Sequence, residues 1–325
     1  DYGDAGEGLR PVRIDAARNG SFCGQFVVGS DQAIKGLKVT AGELKAAKGA
    51  GSIPAENVTV LYALADVAYY GMTRWFDALQ DRPRAESPAV KGGGAVQPVL
   101  LRVKVPADAP PGDYRGELTV SAAGAATVKV PVELSVADWV VPDPKKYRTY
   151  VGIYQSPTTV AAQYKVKMWS EEHWKLLEKS FELLARAGNK MINVPVVDRT
   201  QFGNDRGFVT WVKKPGDKYD YDFKVFDRYL DLAVKHCGKL DYVALQIWHA
   251  GGWKHRGANQ KNTVTVRDEK TGELSRQQVP SFASPEARTF WKPVLAAINE
   301  RLAKRGMEKA LCVGILSDST APASV

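Results

Sequence analysis

The 325 residues are poor in the side chains on which metal, redox and disulfide chemistry depend: three cysteines, four histidines and four methionines. Cys23, Cys237 and Cys312 are odd in number and share no short spacing, so neither a disulfide framework nor a cysteine zinc site is expected. Cys237 and Cys312 sit in apolar contexts and read as core residues. No apolar run approaches the roughly 18–20 residues that cross a bilayer, which excludes a membrane-spanning helix. The opening DYGDAGEGLRPVR has neither an initiator methionine nor an apolar leader, so the start reads as processed or trimmed. No dinucleotide-type glycine turn is present, because Gly92, Gly93 and Gly94 precede a strand rather than a helix; no cofactor is expected. A serine nucleophile elbow is missing too, since Ser317 lies in LSDS without flanking glycines.

What is there describes an ordinary globular chain, 44% apolar and 25% charged. Its length exceeds the roughly 250–300 residues at which single cores stop growing, which points to two domains. The net charge of +9 is uneven: residues 1–142 carry 15 Lys and Arg against 16 Asp and Glu, and residues 143–325 carry 30 against 20. Lysines and arginines on solvated helix faces account for that excess without a polyanionic partner. The segment WVKKPGDKYDYDFKVF interleaves lysine with aromatics, yet five aspartates between 217 and 231 would repel phosphates, so nucleic acid is not expected as a partner.

Residues 1–142 read as an antiparallel β-sandwich. Short β-rich runs, Gly24 to Val28, Val58 to Tyr62, Val99 to Val105, Tyr114 to Val120 and Val128 to Val136, recur between glycine, proline and aspartate turns. In VKVPVELSV, Val128, Val130, Val132, Leu134 and Val136 fall on one face at period two. ESPAVKGGGAVQP reads as an exposed loop and ADAPPGDY as a tight turn into a hairpin. Pro142 and Pro144 form a link, since proline cannot donate to a ladder.

Residues 143–325 alternate strands with helices. YRTYVGIY, MINVPVV, YVALQIW and Ala310 to Leu316 are the expected strands. Ser170 caps a helix that carries Trp174, Leu177, Phe181 and Leu184 on one face and stops at Gly188. A second helix aligns Phe226, Tyr229, Leu230, Ala233, Val234 and Cys237 and closes at Gly238; a third opens with Ser284, Pro285 and Glu286. Two polar insertions separate strand from helix. This alternation calls for parallel strands under helices, in a barrel or an open doubly wound sheet. Four strands cannot close a barrel, and such a sheet would end in an apolar edge.

The segments ARNGSFCGQFVV, FDALQD, QPVLLRVKVPADAPPGDYRGELTV and VELSVADWVVPDP, in that order, resemble the sandwich that precedes the barrel in glycoside hydrolase family 123. VPADAPPGDYRGELTV is the most specific of them. The resemblance implies a multidomain β plus α/β protein: the sandwich of residues 1–142, followed by the first four βα units of a TIM-like (β/α)8 barrel in residues 143–325. It further implies a secreted or periplasmic hydrolase that removes terminal N-acetylgalactosamine by a retaining route, in which the sugar's own 2-acetamido oxygen attacks the anomeric carbon. One carboxylate stabilises that amide and a neighbouring acid protonates the leaving oxygen. The family holds both as an adjacent Asp-Glu pair after the fourth strand. The matching segment here is GILSDSTAP, which carries over Asp318 alone, as stabiliser or as acid/base according to whether the pair aligns with Asp318-Ser319 or Ser317-Asp318. A serine hydroxyl is no general acid near neutral pH. The rival reading is therefore a non-catalytic glycan-binding protein, or an extracellular structural one, with a degenerate pair.

Residues just past the carboxyl ends of barrel strands face the active site. That rule selects Tyr154 and Gln155, Asp198 and Arg199, Trp248 and His249, and Asp318. Tyr154 and Trp248 offer aromatic platforms for a sugar, and Asp198 and His249 offer partners for hydroxyls. His249 and His255 share a loop but lack a fixed carboxylate, so no metal is expected.

Overall fold

The computed structural model describes residues 8–64, 67–69, 72–75, 78–200, 203–216, 218–248 and 262–314. Two compact units result, Asp1–Asp143 and Pro144–Val325.

In the first unit the period-two runs become two sheets. Val128–Val140 lies between Val12–Arg18 and Gly112–Ser121, and Leu44–Ala46 with Ser52–Ile53 extends this sheet. The second sheet orders Ala78–Gln80, Val58–Leu64, Ala95–Lys104 and Ser21–Ser30, all antiparallel. Val12, Ile14, Leu118, Val132 and Leu134 of one sheet share a core with Tyr62, Val99, Leu101 and Val103 of the other. One pairing departs from the antiparallel expectation: Val12–Arg18 runs parallel to Val128–Val140. The loop expected at ESPAVKGGGAVQP is shorter than predicted, because Ala95 and Gln97 already alternate inward with Val99. Gln97 is tolerated inside because its amide donates to the carbonyls of Ala63 (2.8 Å) and Pro98 (2.9 Å) and accepts from Ser87 (3.0 Å). Buried Tyr114 fastens the PPGD turn by donating its hydroxyl to the Pro110 carbonyl at 2.6 Å.

In the second unit, Met191–Pro195, Tyr242–Gln246 and Leu311–Gly314 lie side by side, parallel and in chain order. The strand expected at YRTYVGIY reduces to one parallel bridge, Val151 with Asn189. Its large side chains explain this: Tyr150 and Ile153 are exposed, so no apolar layer holds the segment to a ladder. It keeps a place beside Met191–Pro195 through Lys190 N–H donating to the Val151 carbonyl (2.9 Å) and Ile153 N–H donating to Asn189 Oδ1 (2.7 Å). The described strands belong to parallel β/α units, and no barrel closure is seen among them.

Among the described residues of this unit lie four α-helices: α1 (Pro157–Tyr164), α2 (Glu171–Arg186), α3 (Lys224–Cys237) and α4 (Pro285–Ala303). The Ser170 hydroxyl accepts from His173 N–H at 3.2 Å, which caps α2 as expected. Short α1, capped by Ser156 with Pro157 behind it, was not anticipated. Ion pairs show how the helices run. Arg228 reaches Glu171 and Lys235 reaches Glu178 at the same offset of 57 residues, and Asp227–Arg301 and Asp231–Arg305 share an offset of 74. A constant offset requires α2, α3 and α4 to run parallel, as successive βα passages do. Val194 and Leu245 are covered by this layer, whereas Val313, paired with Leu245, is 54% exposed.

The two insertions expected as polar loops are hairpins. Thr210–Lys214 pairs with Lys218–Asp222, and Thr263–Asp268 with Leu274–Gln278. Parallel pairing of Trp211 with Val266 joins them into a second sheet of four strands. Both hairpins leave the carboxyl ends of parallel strands, where a barrel would hold its chemistry.

Candidate functional site

Side chains alternate across a strand, so each parallel strand presents two faces. Ile192, Val194, Val243, Leu245 and Ile247 join the core built with the helices. Asn193, Pro195, Ala244 and Gln246 therefore point the other way. Register places Asn193 opposite Ala244, Pro195 opposite Gln246, and Gln246 opposite Gly314. Cys312 pairs with Ala244 and is only half-buried, so it is not the core residue that its apolar context suggested. Gln246 is 2% exposed and neither its Oε1 nor its Nε2 has a hydrogen-bond partner; Asn193 is 7% exposed and its Nδ2 has none. Trp248, next in the alternation, is partly exposed at the end of the strand.

Asp198 lies just past Met191–Pro195, as expected, but it is not a rim group open to a ligand. Its side chain is fully buried. Oδ1 accepts from Gly207 N–H (2.9 Å) and the Thr265 hydroxyl (2.9 Å), Oδ2 accepts from the Thr263 hydroxyl (3.3 Å), and Arg276 Nε stands 3.7 Å away. Asp198 N–H in turn donates to the Thr263 carbonyl at 2.8 Å. The carboxylate thus ties the second hairpin, and the Gly207 loop that leads into the first, to the strand end. Burial raises its pKa above the ordinary aspartate value, a rise that these hydrogen bonds and Arg276 oppose. Arg276 also pairs with Asp205, which extends the knot to the surface.

The loop between Asp198 and Gly207 is built to make this turn. Buried Asn204 accepts from Thr200 N–H (3.1 Å) and donates to the carbonyls of Val197 (3.1 Å) and Arg206 (3.0 Å). Arg199 adopts φ 54°, in the left-handed region. A Cβ on Gly207 would stand 2.2 Å from the Val196 carbonyl oxygen, so only glycine fits.

Tyr154 is 55% exposed, as a platform must be. Its neighbour Gln155 is buried: Oε1 accepts from the Tyr229 hydroxyl at 2.9 Å, while Nε2 has no partner. Burial pushes the Tyr229 phenol far above its ordinary pKa, so it serves as a donor and not as a base. His249, His255 and Asp318 lie outside the described residues. Among the described residues no group of three His, Cys, Asp or Glu side chains is placed to hold a metal ion, and no helix is long and apolar enough to cross a membrane.

Asn193 and Gln246 were missed from sequence because they stand inside runs that read as apolar strands. The usable signal was a lone amide in each run, since a buried polar side chain is more informative than any exposed one.

Residues 154–323 match the family described as glycoside hydrolase 123, catalytic domain. A family 123 glycoside hydrolase from Clostridium perfringens, solved for the details of glycolipid glycan hydrolysis, superposes with a TM-score of 0.73 at 17% identity, covering 94% of this chain and 54% of that one. This chain therefore spans about half the length of that enzyme, and the likeness is one of fold: antiparallel β-sheets followed by parallel β/α units. A family 39 glycoside hydrolase from Bacteroides cellulosilyticus WH2 covers 91% of this chain and 41% of its own at 13% identity, with a TM-score of 0.28 too low to carry an argument. No curated protein sequence matches the chain.

Proposed function

The chain belongs to glycoside hydrolase family 123, and from that membership we propose that it supplies the accessory sandwich and the first βα units of a secreted or periplasmic enzyme that removes terminal N-acetylhexosamine from glycans. The family match over residues 154–323, which runs through Asp318, is the observation that carries this reading. In the proposed reaction the acetamido oxygen of the substrate bonds to the anomeric carbon as the glycosidic C–O bond breaks. The leaving oxygen takes a proton from a carboxylic acid, and water then opens the cyclic intermediate with overall retention. Asp318 holds one of the two carboxyl roles. The other falls to a carboxylate elsewhere on the rim, because Ser317 and Ser319 flank Asp318 where the family has its pair. Tyr154 and Trp248 would carry the apolar face of the sugar, with His249 at a hydroxyl.

The test is Asp318→Asn in the intact natural polypeptide, read as release from an aryl N-acetylgalactosaminide. Loss of about a thousandfold or more in kcat is expected for a group acting in the transition state; unchanged turnover removes Asp318 from the mechanism. The missing neighbouring carboxylate favours one second reading, glycan binding without hydrolysis, in which wild-type protein retains the sugar and releases none.

A further inference from the structure

Edge strands of native sheets are blunted against pairing with other chains by charge, proline, bulges or shortness. The first unit follows this rule at the other ends of its two main sheets: Val12–Arg18 carries Arg13, Asp15 and Arg18, while Ala78–Gln80 and Ser52–Ile53 are three and two residues long. Ser21–Ser30 departs from it. This strand ends the second sheet and runs ten residues against Ala95–Lys104 without a bulge, and its sequence SFCGQFVVGS holds no charge and no proline. Among the described residues no strand pairs with its other side. Val105 N–H donates to the Gly20 carbonyl at 2.9 Å, one step beyond the Lys104–Ser21 pair, so Gly20 and Val105 form a hydrogen-bonded pair. Alternation along the ladder then turns the N–H and C=O of Ser21, Cys23, Gln25, Val27 and Gly29 to the open side. All five residues are exposed.

We infer that this edge is a homodimer interface: Ser21–Ser30 pairs antiparallel with the same strand of a second copy, so that the second sheets of the two sandwiches become continuous. A two-fold axis at Gln25 is the register that uses all five open residues. It sets Gln25 opposite itself, Cys23 opposite Val27 and Ser21 opposite Gly29, and each outward donor meets a carbonyl. Phe22 then faces Val28, an aromatic against a β-branched side chain. Both already pack on the sandwich core, which the pairing extends. Charge selects the direction. Arg18 precedes the strand and Lys104 flanks its first residue, whereas Asp31 follows its last. Antiparallel pairing brings Asp31 of each copy to the basic end of the other, while parallel pairing would set like charges together. A foreign strand would need the same neutral run with an acidic end; a second copy has it by identity. Such a contact uses the same patch on both partners, so the assembly closes at two.

Analytical ultracentrifugation of the intact natural polypeptide tests this. Pairing along one edge buries less than the roughly 1,200 Å² of a standard interface, so a reversible dimer populated at about 10–100 µM is expected. Gln25→Pro removes an outward N–H from each copy, and with it about two hydrogen bonds per dimer, while leaving the ladder to Ala95–Lys104 in place. The dimer should weaken about tenfold or more. Val27→Lys puts a charge on the edge without altering the backbone and should act in the same direction, with the melting temperature near that of wild type. In a Cys23→Ser background, Gln25→Cys should give a disulfide-linked dimer on mild oxidation, because directly opposed residues of such a pair stand about 5.5 Å apart. Cys23 of wild type should not, since its two copies lie roughly 13 Å or more apart along the strands. A wild-type protein that stays monomeric up to about 100 µM overturns the proposal. So does a dimer that Val27→Lys leaves unchanged, or one that cross-links as readily through Cys23 as through Gln25→Cys.

Discussion

Asp198 and His173 are both buried, and their environments push stability in opposite directions with pH. His173 is fully inside, with Nδ1 accepting from Trp169 N–H at 3.0 Å and Nε2 donating to the Pro157 carbonyl at 2.9 Å. This arrangement requires the neutral ring, and burial lowers its pKa below the ordinary histidine value. The folded state then binds fewer protons than the unfolded chain, so the stabilisation is complete above about pH 6.5 and is lost as pH falls toward the lowered value. The advantage of wild type over His173→Gln in urea should shrink between about pH 7.5 and 5; a constant difference would show that His173 titrates normally. The raised pKa of Asp198 has the opposite sign, its contribution being present below the ordinary carboxylate pKa and fading as pH rises through the folded one. Asp198→Ala should cost about 2–3 kcal/mol by stranding the donors of Gly207, Thr263 and Thr265, and Asp198→Asn less. Equal losses in the two variants would argue against the hydrogen bonds as the cause. The sequence put Asp198 at a strand end but could not reveal its burial, because the threonines that enclose it come from a hairpin 65 and 67 residues away.

At the level of elements, legibility followed burial. The sandwich strands and α2 and α3 were readable because one face of each is apolar at the period of its own geometry. The two hairpins were overlooked because polar residues occupy most of their length; Val264, Val266 and Trp211 are their fully buried apolar residues, with Tyr219 and Tyr221 packed partly against the core. The alternation of NTVTVRD and the PGD and KTG turns was the available signal. The error at YRTYVGIY ran the other way, since its composition favours a strand while its exposed aromatics leave it only one bridge. Trp211 anchors the hairpin sheet on α4, stacking on Phe290 at 5.8 Å and meeting Trp291 edge-on at 6.2 Å. Trp211→Ala should cost about 3–5 kcal/mol and open residues 210–222 and 263–278 to proteolysis before the rest of the unit. Cleavage elsewhere first would show that the hairpins are held by other contacts.

For the whole molecule, the change from a β to an α/β pattern was legible in the composition around Pro142 and Pro144; the structure divides the chain into the compact units Asp1–Asp143 and Pro144–Val325. The site was less so. The resemblance pointed to Asp318, outside the described residues, while the amides at Asn193 and Gln246 and the knot at Asp198 depend on contacts between segments far apart in the chain. Gln246 and the Asp198 knot share a place at the carboxyl ends of parallel strands. The central claim, hydrolysis assisted by the substrate's own acetamido group, is tested most directly by comparing two aryl glycosides in the intact natural polypeptide, the N-acetylgalactosaminide and the galactoside that differs only by a 2-hydroxyl. Release is expected from the first and none above background from the second. Comparable release from both would contradict it, because the galactoside carries no internal nucleophile.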